Sequence, residues 1–565
     1  TPGTQSGAGG FVEVSSGDTL TFGGNARTGI GKRHGTLLLD PRNITIANTS
    51  VFNSSPFMIG VGHSTNPQDI DEQNIKDADY QTTWGRSLAL DGQWLAVGAH
   101  YIDNRRGAVF LYSYTDTLFN GGTLQTMITN DAASNGDPPN HRQALSTKDH
   151  FGISVSLDGG RLAVGARKDG DDGDENDDRG AVYLYNLVDA DGNVTEDPGD
   201  FSGLTLQATI GRNKTGDKDI DLSGGHRLVL HRQDEFGHSV SLSSSDDGST
   251  RLAVSVRNGD GSNSDGNEGE VALFTFSPEL TVGNTAEALT VGETITGVTS
   301  AATGVVILGA SGSTSVTYTV TSGTFVAGET VTGGASSVSK VVSAVTTVKE
   351  FGGGELAGII GEGWTNSKDV NVALGNSDNF GSSLSLYYDS VLDAHRLAVG
   401  ASSDDGSGVD DNTDNGAVYL FTFADDDFSG GAHVGTIGSG YTGSKDLNLN
   451  VGESDSFART GMSLGGNYLA VGSDDGQGGD DANGEGEVYV FSFTNNTIAT
   501  SFSSPTLEGM IGKGHYSTLT VGSVNDTLTV GETITGGTSG ATGVVVLGAS
   551  GSTSVTYTVT SGTFQ

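Results

Sequence analysis

The sequence contains no cysteine, and its 28 lysine and arginine residues stand against 69 aspartates and glutamates. Disulfides and thiolate chemistry are therefore excluded, and a fold must be held by sheet cores or by bound cations where carboxylates crowd. The net charge of −41 excludes a nucleic-acid surface on electrostatic grounds and disfavours anionic membranes. No apolar run of about 18 residues occurs, so nothing predicts a bilayer-spanning helix. Helical periodicity is scarce, no charged-then-apolar leader opens the chain, and the first residue is Thr1. The expectation is a secreted piece cut from a longer precursor. Glycine is abundant instead, 89 of 565 residues, with only 17% charged residues, a composition suited to short strands and tight turns.

Self-comparison finds one unit five times. Its first segment is WGRSLAL at Trp84, FGISVSL at Phe151, FGHSVSL at Phe236, FGSSLSL at Phe380 and a degenerate FARTGMSL at Phe457. Its second is LAVGA or a close variant at Leu95, Leu162, Leu252, Leu397 and Leu469. GAVFLY, GAVYLY, GEVALF, GAVYLF and GEVYVF form the third, and the fourth ends at Ile128, Ile210, Ile360, Ile437 and Ile511. Short runs of β-branched and aromatic residues bounded by Gly, Asp, Asn and Ser read as strands. Four strands make one small antiparallel sheet that cannot bury both faces alone, so neighbouring units must stack. The small, apolar LAVGA segment reads as an inner strand near a crowded axis. An extra copy of the fourth segment, FMIG at 57–60, is expected to close the ring by joining the last blade.

FG at the strand start, DG before LAVGA and GAVYLF at a fixed distance resemble the FG-GAP repeats of integrin-α-like propellers over roughly 57–512. That family's calcium loop, Asp-x-Asp-x-Asp-Gly, lies between the first two strands, where this chain has only LDGQW or LDGGR. The resemblance therefore carries no metal site to that turn. Residues 8–48, with GGFVEVSSGD and LLLDPRNITI, are similar to the last β-helix coils of filamentous-haemagglutinin-like exoproteins, which implies export by two-partner secretion.

A second duplication is sharper. Leu289 to Phe325 returns as Leu528 to Phe564, offset by 239 residues with three differences. The first copy enlarges the third-to-fourth connection of unit three to 91 residues, Gly269 to Ile360, against 21 from Gly416 to Ile437. Its Thr/Val/Ser alternation predicts a small β-domain. Similar GETITG modules occur in marine phage and bacterial surface proteins, which implies a spacer or interaction domain.

Carboxylates concentrate between the second and third strands. Candidate metal ligands are Asp169, Asp171, Asp172, Asp174 and Asp177, then Asp404, Asp405, Asp410, Asp411 and Asp414, then Asp474, Asp475, Asp480 and Asp481. Asp spaced by one or two residues on Gly/Asn-rich backbone can curl around Ca²⁺; the same residues are also the common choices for solvated turns. A second acid follows each fourth-strand Ile by nine or ten residues, at Asp69, Asp137, Asp219, Asp369 and Asp446. Both loop sets should emerge on one face. Ser244, Asp246 and Gly248 begin a sialidase-type Asp-box, but Arg251 stands where an aromatic is required. His226, His231 and His238 are the nearest to a histidine cluster, and Trp84, Trp94 and Trp364 are candidates for a sugar site.

The predicted fold is all-β: a β-propeller-like array of at least five four-stranded antiparallel blades with inserted small β-domains and an N-terminal β-helix-like remnant. The divisions are 1–56 for the β-helix-like end and 57–512 for the propeller, with blades at about 84–130, 151–211, 236–361, 380–438 and 457–512. The insert covers 278–350 and its truncated second copy 519–565. The expected function is a non-enzymatic extracellular structural or adhesive segment of a giant surface protein. Its expected partners are other copies of itself in a filament, or cell-surface glycans and proteins. The alternative is a calcium-dependent glycan- or protein-binding propeller. A propeller hydrolase would need a converging carboxylate pair, and the sequence singles none out.

Overall fold

The computed structural model describes residues 83–512 other than 117–118, 131–140, 171–176, 217, 225–226, 246–248, 262–265, 284–287, 310–314, 324, 347–350, 353, 407–413, 450, 452–455, 476–485 and 495–500. It also describes 11–19, 36–43, 59–60, 70–71, 517–520, 533–536, 539, 541–547 and 554–561. The chain divides into two compact units, Thr1–Phe57 and Met58–Gln565. In the first, Phe11–Thr19 pairs in parallel with Thr36–Asn43, Phe11 opposite Thr36.

The second unit is all-β and propeller-like. Its blades are built in strict sequence, each strand antiparallel to the one before. Blade two shows the pattern: Phe151–Asp158, Arg161–Ala166, Ala181–Val188 and Gly203–Gly211. A two-residue strand then adds in parallel outside the fourth, with Ile210 opposite Ile220. Blades one, three and four end in the same way, at Ile128↔His141, Ile360↔Val370 and Ile437↔Leu447. The FMIG segment repeats this ending, Ile59 opposite Ile70, and that is its pairing among the described residues. Blade five has its own fourth strand, Ser503–Gly512, so the expected union of FMIG with the last visible blade is not found.

Four cores hold the array, and each is shared by two adjacent blades. The repeat residues explain the junctions. The first serine of FG-x-S donates to the next blade's backbone: Ser87 to Gly152 O at 2.9 Å, Ser154 to Gly237 O at 2.8 Å and Ser383 to Ala458 O at 2.6 Å. The second serine accepts an amide of the following blade, Leu242 N–H on Ser156, Leu386 N–H on Ser241 and Leu464 N–H on Ser385, at 2.8–2.9 Å.

In blades one to four the residue just before the LAVGA leucine also crosses the junction. Trp94 donates to Glu196 O at 3.0 Å. Arg161 bonds Thr250 and Ser244, Arg251 bonds Asp426 and Asp427 at 2.8 and 2.9 Å, and Arg396 bonds Gly466 O while lying over Phe502. The LAVGA glycine is small for the same reason. A Cβ at Gly98 or Gly165 would stand 2.1 or 2.0 Å from the carbonyl oxygen of Gly152 or Gly237. The first strand of each blade lies at the sheet edge bordering the centre of the array, with LAVGA next to it. The crowding of LAVGA comes from the next blade's backbone.

The insert of blade three is a closed six-stranded barrel: Glu279–Val282, Thr294–Gly297, Thr303–Gly309, Ser315–Ser322, Thr330–Gly333 and Ser339–Thr346. Its apolar residues alternate inward to form a separate core around Leu280, Ile295, Val316 and Val331. The second copy forms a four-stranded sheet in the same register, with Val545 opposite Tyr557 as Val306 is opposite Tyr318.

Candidate functional site

The first strands of all five blades border one chamber of about 280 Å³. Its polar wall includes Ser87, Ser154, Ser239 and Ser383, together with Arg86 from blade one, His238 from blade three and Arg459 from blade five. Arg459 pairs with Asp474 and Asp475 at 3.6 and 3.1 Å. Arg86 has no hydrogen-bonded side-chain partner among the described residues. Arg86 is exposed, and partial desolvation lowers its pKa against the attraction of Asp474.

The loops beside this wall bring more titratable groups together. Arg167 and Arg257 each donate to Glu235 at 3.4 Å. Burial acts to raise Glu235, but His238 and the two guanidiniums hold it at about 2. Arg167 also reaches His150 at 3.4 Å and His238 at 3.2 Å. Burial first, then Arg167, pushes His100 and His150 down to about 3, and burial pushes His238 to about 4. All three imidazoles are thus neutral at neutral pH. The rings of His100, Tyr101 and His150 lie 4.3–5.4 Å apart. Arg86, Arg167, Arg257 and Arg459 sit within electrostatic reach of one another. Glu235, Asp474 and Asp475 are the carboxylates that pair with these arginines among the described residues.

The acidic loops are organised differently. Asp169 accepts Tyr183 OH at 2.5 Å and Lys214 Nζ at 3.3 Å. Asp404 accepts Tyr419 OH at 2.6 Å and Tyr441 OH at 2.9 Å. In blade three Glu270 takes the corresponding part, accepting Trp364 Nε1–H at 2.7 Å. Asp177 pairs with Arg179 and Arg232, and Asp405 accepts the Asp414 amide at 3.0 Å. Asp171, Asp172, Asp174, Asp410, Asp411, Asp480 and Asp481 lie outside the described residues. Among the described residues no group of three His, Asp or Glu could hold a metal ion. The described loop carboxylates Asp169, Asp404 and Asp405 accept protein donors.

The acids of the interblade loops are turn locks. Asp219 accepts Thr209 N–H at 2.7 Å and Gly216 N–H at 2.6 Å, and Asp446 accepts Thr436 N–H at 2.9 Å and Gly443 N–H at 2.6 Å. Asp369 bonds Ile359 and Asn366 N–H, both at 3.0 Å. Two residues after each of these three acids a second side chain closes the turn: Asp221 on Asn213 N–H, Asn371 on Gly363 N–H and Asn448 on Gly440 N–H. Asp69 and Asp137 lie outside the described residues.

Other candidates also become structural. Ser244 donates to Asp158 and accepts from Arg161 at the junction of blades two and three, while Asp246 and Gly248 lie outside the described residues. Trp94 and Trp364 spend their N–H groups on Glu196 and Glu270, and Trp84 packs edge-on against Phe110. His231 is exposed, His226 lies outside the described residues, and His238 alone of that trio borders the chamber. The arginines occupy two repeat positions, Arg86 and Arg459 as the third residue of the first segment and Arg167 and Arg257 directly after the second, but each position is basic in only some of the blades. The one available signal was a basic residue within or just after an FG or LAVGA segment, as in WGR, LAVGAR and FAR.

The FG-GAP repeat family matches residues 145–185, the end of the loop before blade two and its first three strands. No curated protein matches the sequence. Among solved structures the chain is similar to polysaccharide lyase Uly1, with 10% identity over 85% of this chain and 90% of that one at a TM-score of 0.27. It is also similar to an ancestral GH74 enzyme, with 10% identity over 86% of this chain and 49% of that one at a TM-score of 0.24.

Proposed function

We propose that this chain is a non-enzymatic, extracellular adhesive segment of a giant surface protein, a rigid propeller that receives an acidic group of its ligand at the axial chamber. The observation that supports this reading is Arg86. An exposed guanidinium with no side-chain hydrogen bond among the described residues, bordering a chamber walled by hydroxyls, suits the planar oxygens of a carboxylate or sulfate. An acidic cell-surface glycan presents such groups along with hydroxyls for the serine wall. Carboxylates near the chamber are tied to arginine, which suits holding a ligand rather than protonating one.

Calorimetric titration with polygalacturonate and heparin, and with neutral dextran as control, tests the reading. The acidic polymers should bind, weaken with salt, and lose about tenfold or more in affinity in Arg86→Ala. Equal binding of dextran would refute the acidic ligand. Cleavage of the polymer during incubation would refute the non-enzymatic part.

A further inference from the structure

Among the described residues blade five lacks a following neighbour, and the first strand of blade one is open to match, while Val97, Phe110 and Tyr112 on the same face of blade one are buried. Ile128, Ile210, Ile360 and Ile437 are completely buried in blades one to four, whereas the equivalent Ile511 is 58% exposed. The position filled by buried Trp94, Arg161, Arg251 and Arg396 is taken in blade five by Tyr468, 61% exposed. On the other side, Leu88 and Leu90 of blade one are 62% and 54% exposed, against 5–7% for Val155, Leu157, Val240, Leu242, Leu384 and Leu386.

The glycines repeat the message independently of exposure. At Gly107, Gly180, Gly269 and Gly416 a Cβ would lie 1.9–2.3 Å from the following blade's Phe carbonyl oxygen. At the equivalent Gly486 the nearest atoms are 3.5 Å away and belong to its own blade. Gly472, the LAVGA glycine of blade five, likewise meets nothing closer than 3.4 Å. A groove of about 400 Å³ runs past Gly461, Gly472, Gly486, Val488 and Ile511.

We propose that the opening is a docking site for a further blade of this same repeat. Its FG-x-S-x-S-L strand would cover Tyr468, Val488 and Ile511, and its third and fourth strands would cover Leu88 and Leu90. Four continuous junctions of the same geometry define the occupant's chemistry. It brings alternating Val or Leu on its first strand, a Phe carbonyl over Gly486, and a small LAVGA strand. The pair Ile59↔Ile70 already repeats the last strand and parallel partner of a blade immediately upstream of blade one. The incoming segment therefore needs only the first three strands, with the GAVYLF strand antiparallel to Ile59–Gly60.

The full chain is mixed with residues 378–423, the three-strand segment of blade four, fused to a soluble carrier. Saturable one-to-one binding is expected, with release of an apolar fluorescent dye. Ile511→Asp or Leu88→Asp should weaken it by about tenfold or more, and Val391→Asp, on a turn away from the opening, should leave it unchanged. A chain with residues 439–512 duplicated in tandem after Gly512 presents a blade covalently and does not depend on the excised segment folding alone. It should bind less dye and melt higher. Unchanged dye binding and melting in that chain would overturn the proposal. Self-association of the native chain in sedimentation, abolished by Ile511→Asp, would also overturn it by making a second copy the occupant.

Discussion

Glu293 and Glu329 hold each other's turns in the inserted barrel. The Glu293 carboxylate accepts the amides of Ala335 and Ser336 at 3.0 and 2.8 Å, and Glu329 accepts those of Thr299 and Ser300 at 3.2 and 3.0 Å. Burial acts to raise both carboxyls, but these bonds keep both below their ordinary value. Replacing either by alanine removes the acceptor of these N–H groups and should cost the barrel about 1–2 kcal/mol in denaturant unfolding. Because the folded pKa values are depressed, this stabilisation is present above the unfolded carboxyl range and is lost as pH falls through the folded values. An alanine variant should therefore lose its deficit in strong acid.

Glu270 has the opposite sign. Burial, only partly offset by the Trp364 hydrogen bond, raises it to about 8. The folded state keeps a proton that the unfolded state releases near its ordinary pKa, so this residue's contribution declines as pH rises from about 5 to 8. Glu270→Gln removes the titration and keeps an acceptor for Trp364. Its melting temperature should exceed that of the parent increasingly across that window and level off above it, with a gain of about 2–4 kcal/mol.

The serine junctions permit a matched comparison. Ser241→Ala leaves the Leu386 amide without its acceptor and should cost about 1–2 kcal/mol. Ser463, the equivalent position in blade five, is exposed. Ser463→Ala should change stability by less than about 0.5 kcal/mol in the same urea titration.

Glycine-to-alanine substitution separates occupied from empty junctions. Gly165→Ala drives a methyl group into the Gly237 carbonyl and should destabilise by about 3 kcal/mol or more. Gly472→Ala meets nothing closer than 3.4 Å and should be tolerated within about 0.5 kcal/mol. Thermal melts of the two variants measure the difference directly.

The blades were legible in the sequence because FG, LAVGA and GAVYLF recur with strand-like alternation and small residues at fixed places. The roles of the acids were not. An Asp that caps a turn and an Asp that binds a cation have the same neighbours, Gly, Asn and Ser, and only the N–H groups converging on Asp219 and Asp446 separate them. The partnership of Glu293 with Ser336 was hidden because it spans two halves of the barrel. The axial arginines were hidden because their convergence depends on curvature, which no single repeat encodes. The LAVGA glycine was recognised as crowded, but the crowding atom belongs to the next blade, more than fifty residues along the chain.

The barrel's first and last strands are partners, Glu279 opposite Thr346, and at its base Thr275 stands opposite Glu355. The insertion therefore leaves and returns through one narrow neck, and blade three experiences it as a hairpin turn. Any third-to-fourth connection of this propeller could carry the same module without altering its blade. The module is a transplantable cassette, and the chain can change what it displays on that side while its blades stay the same.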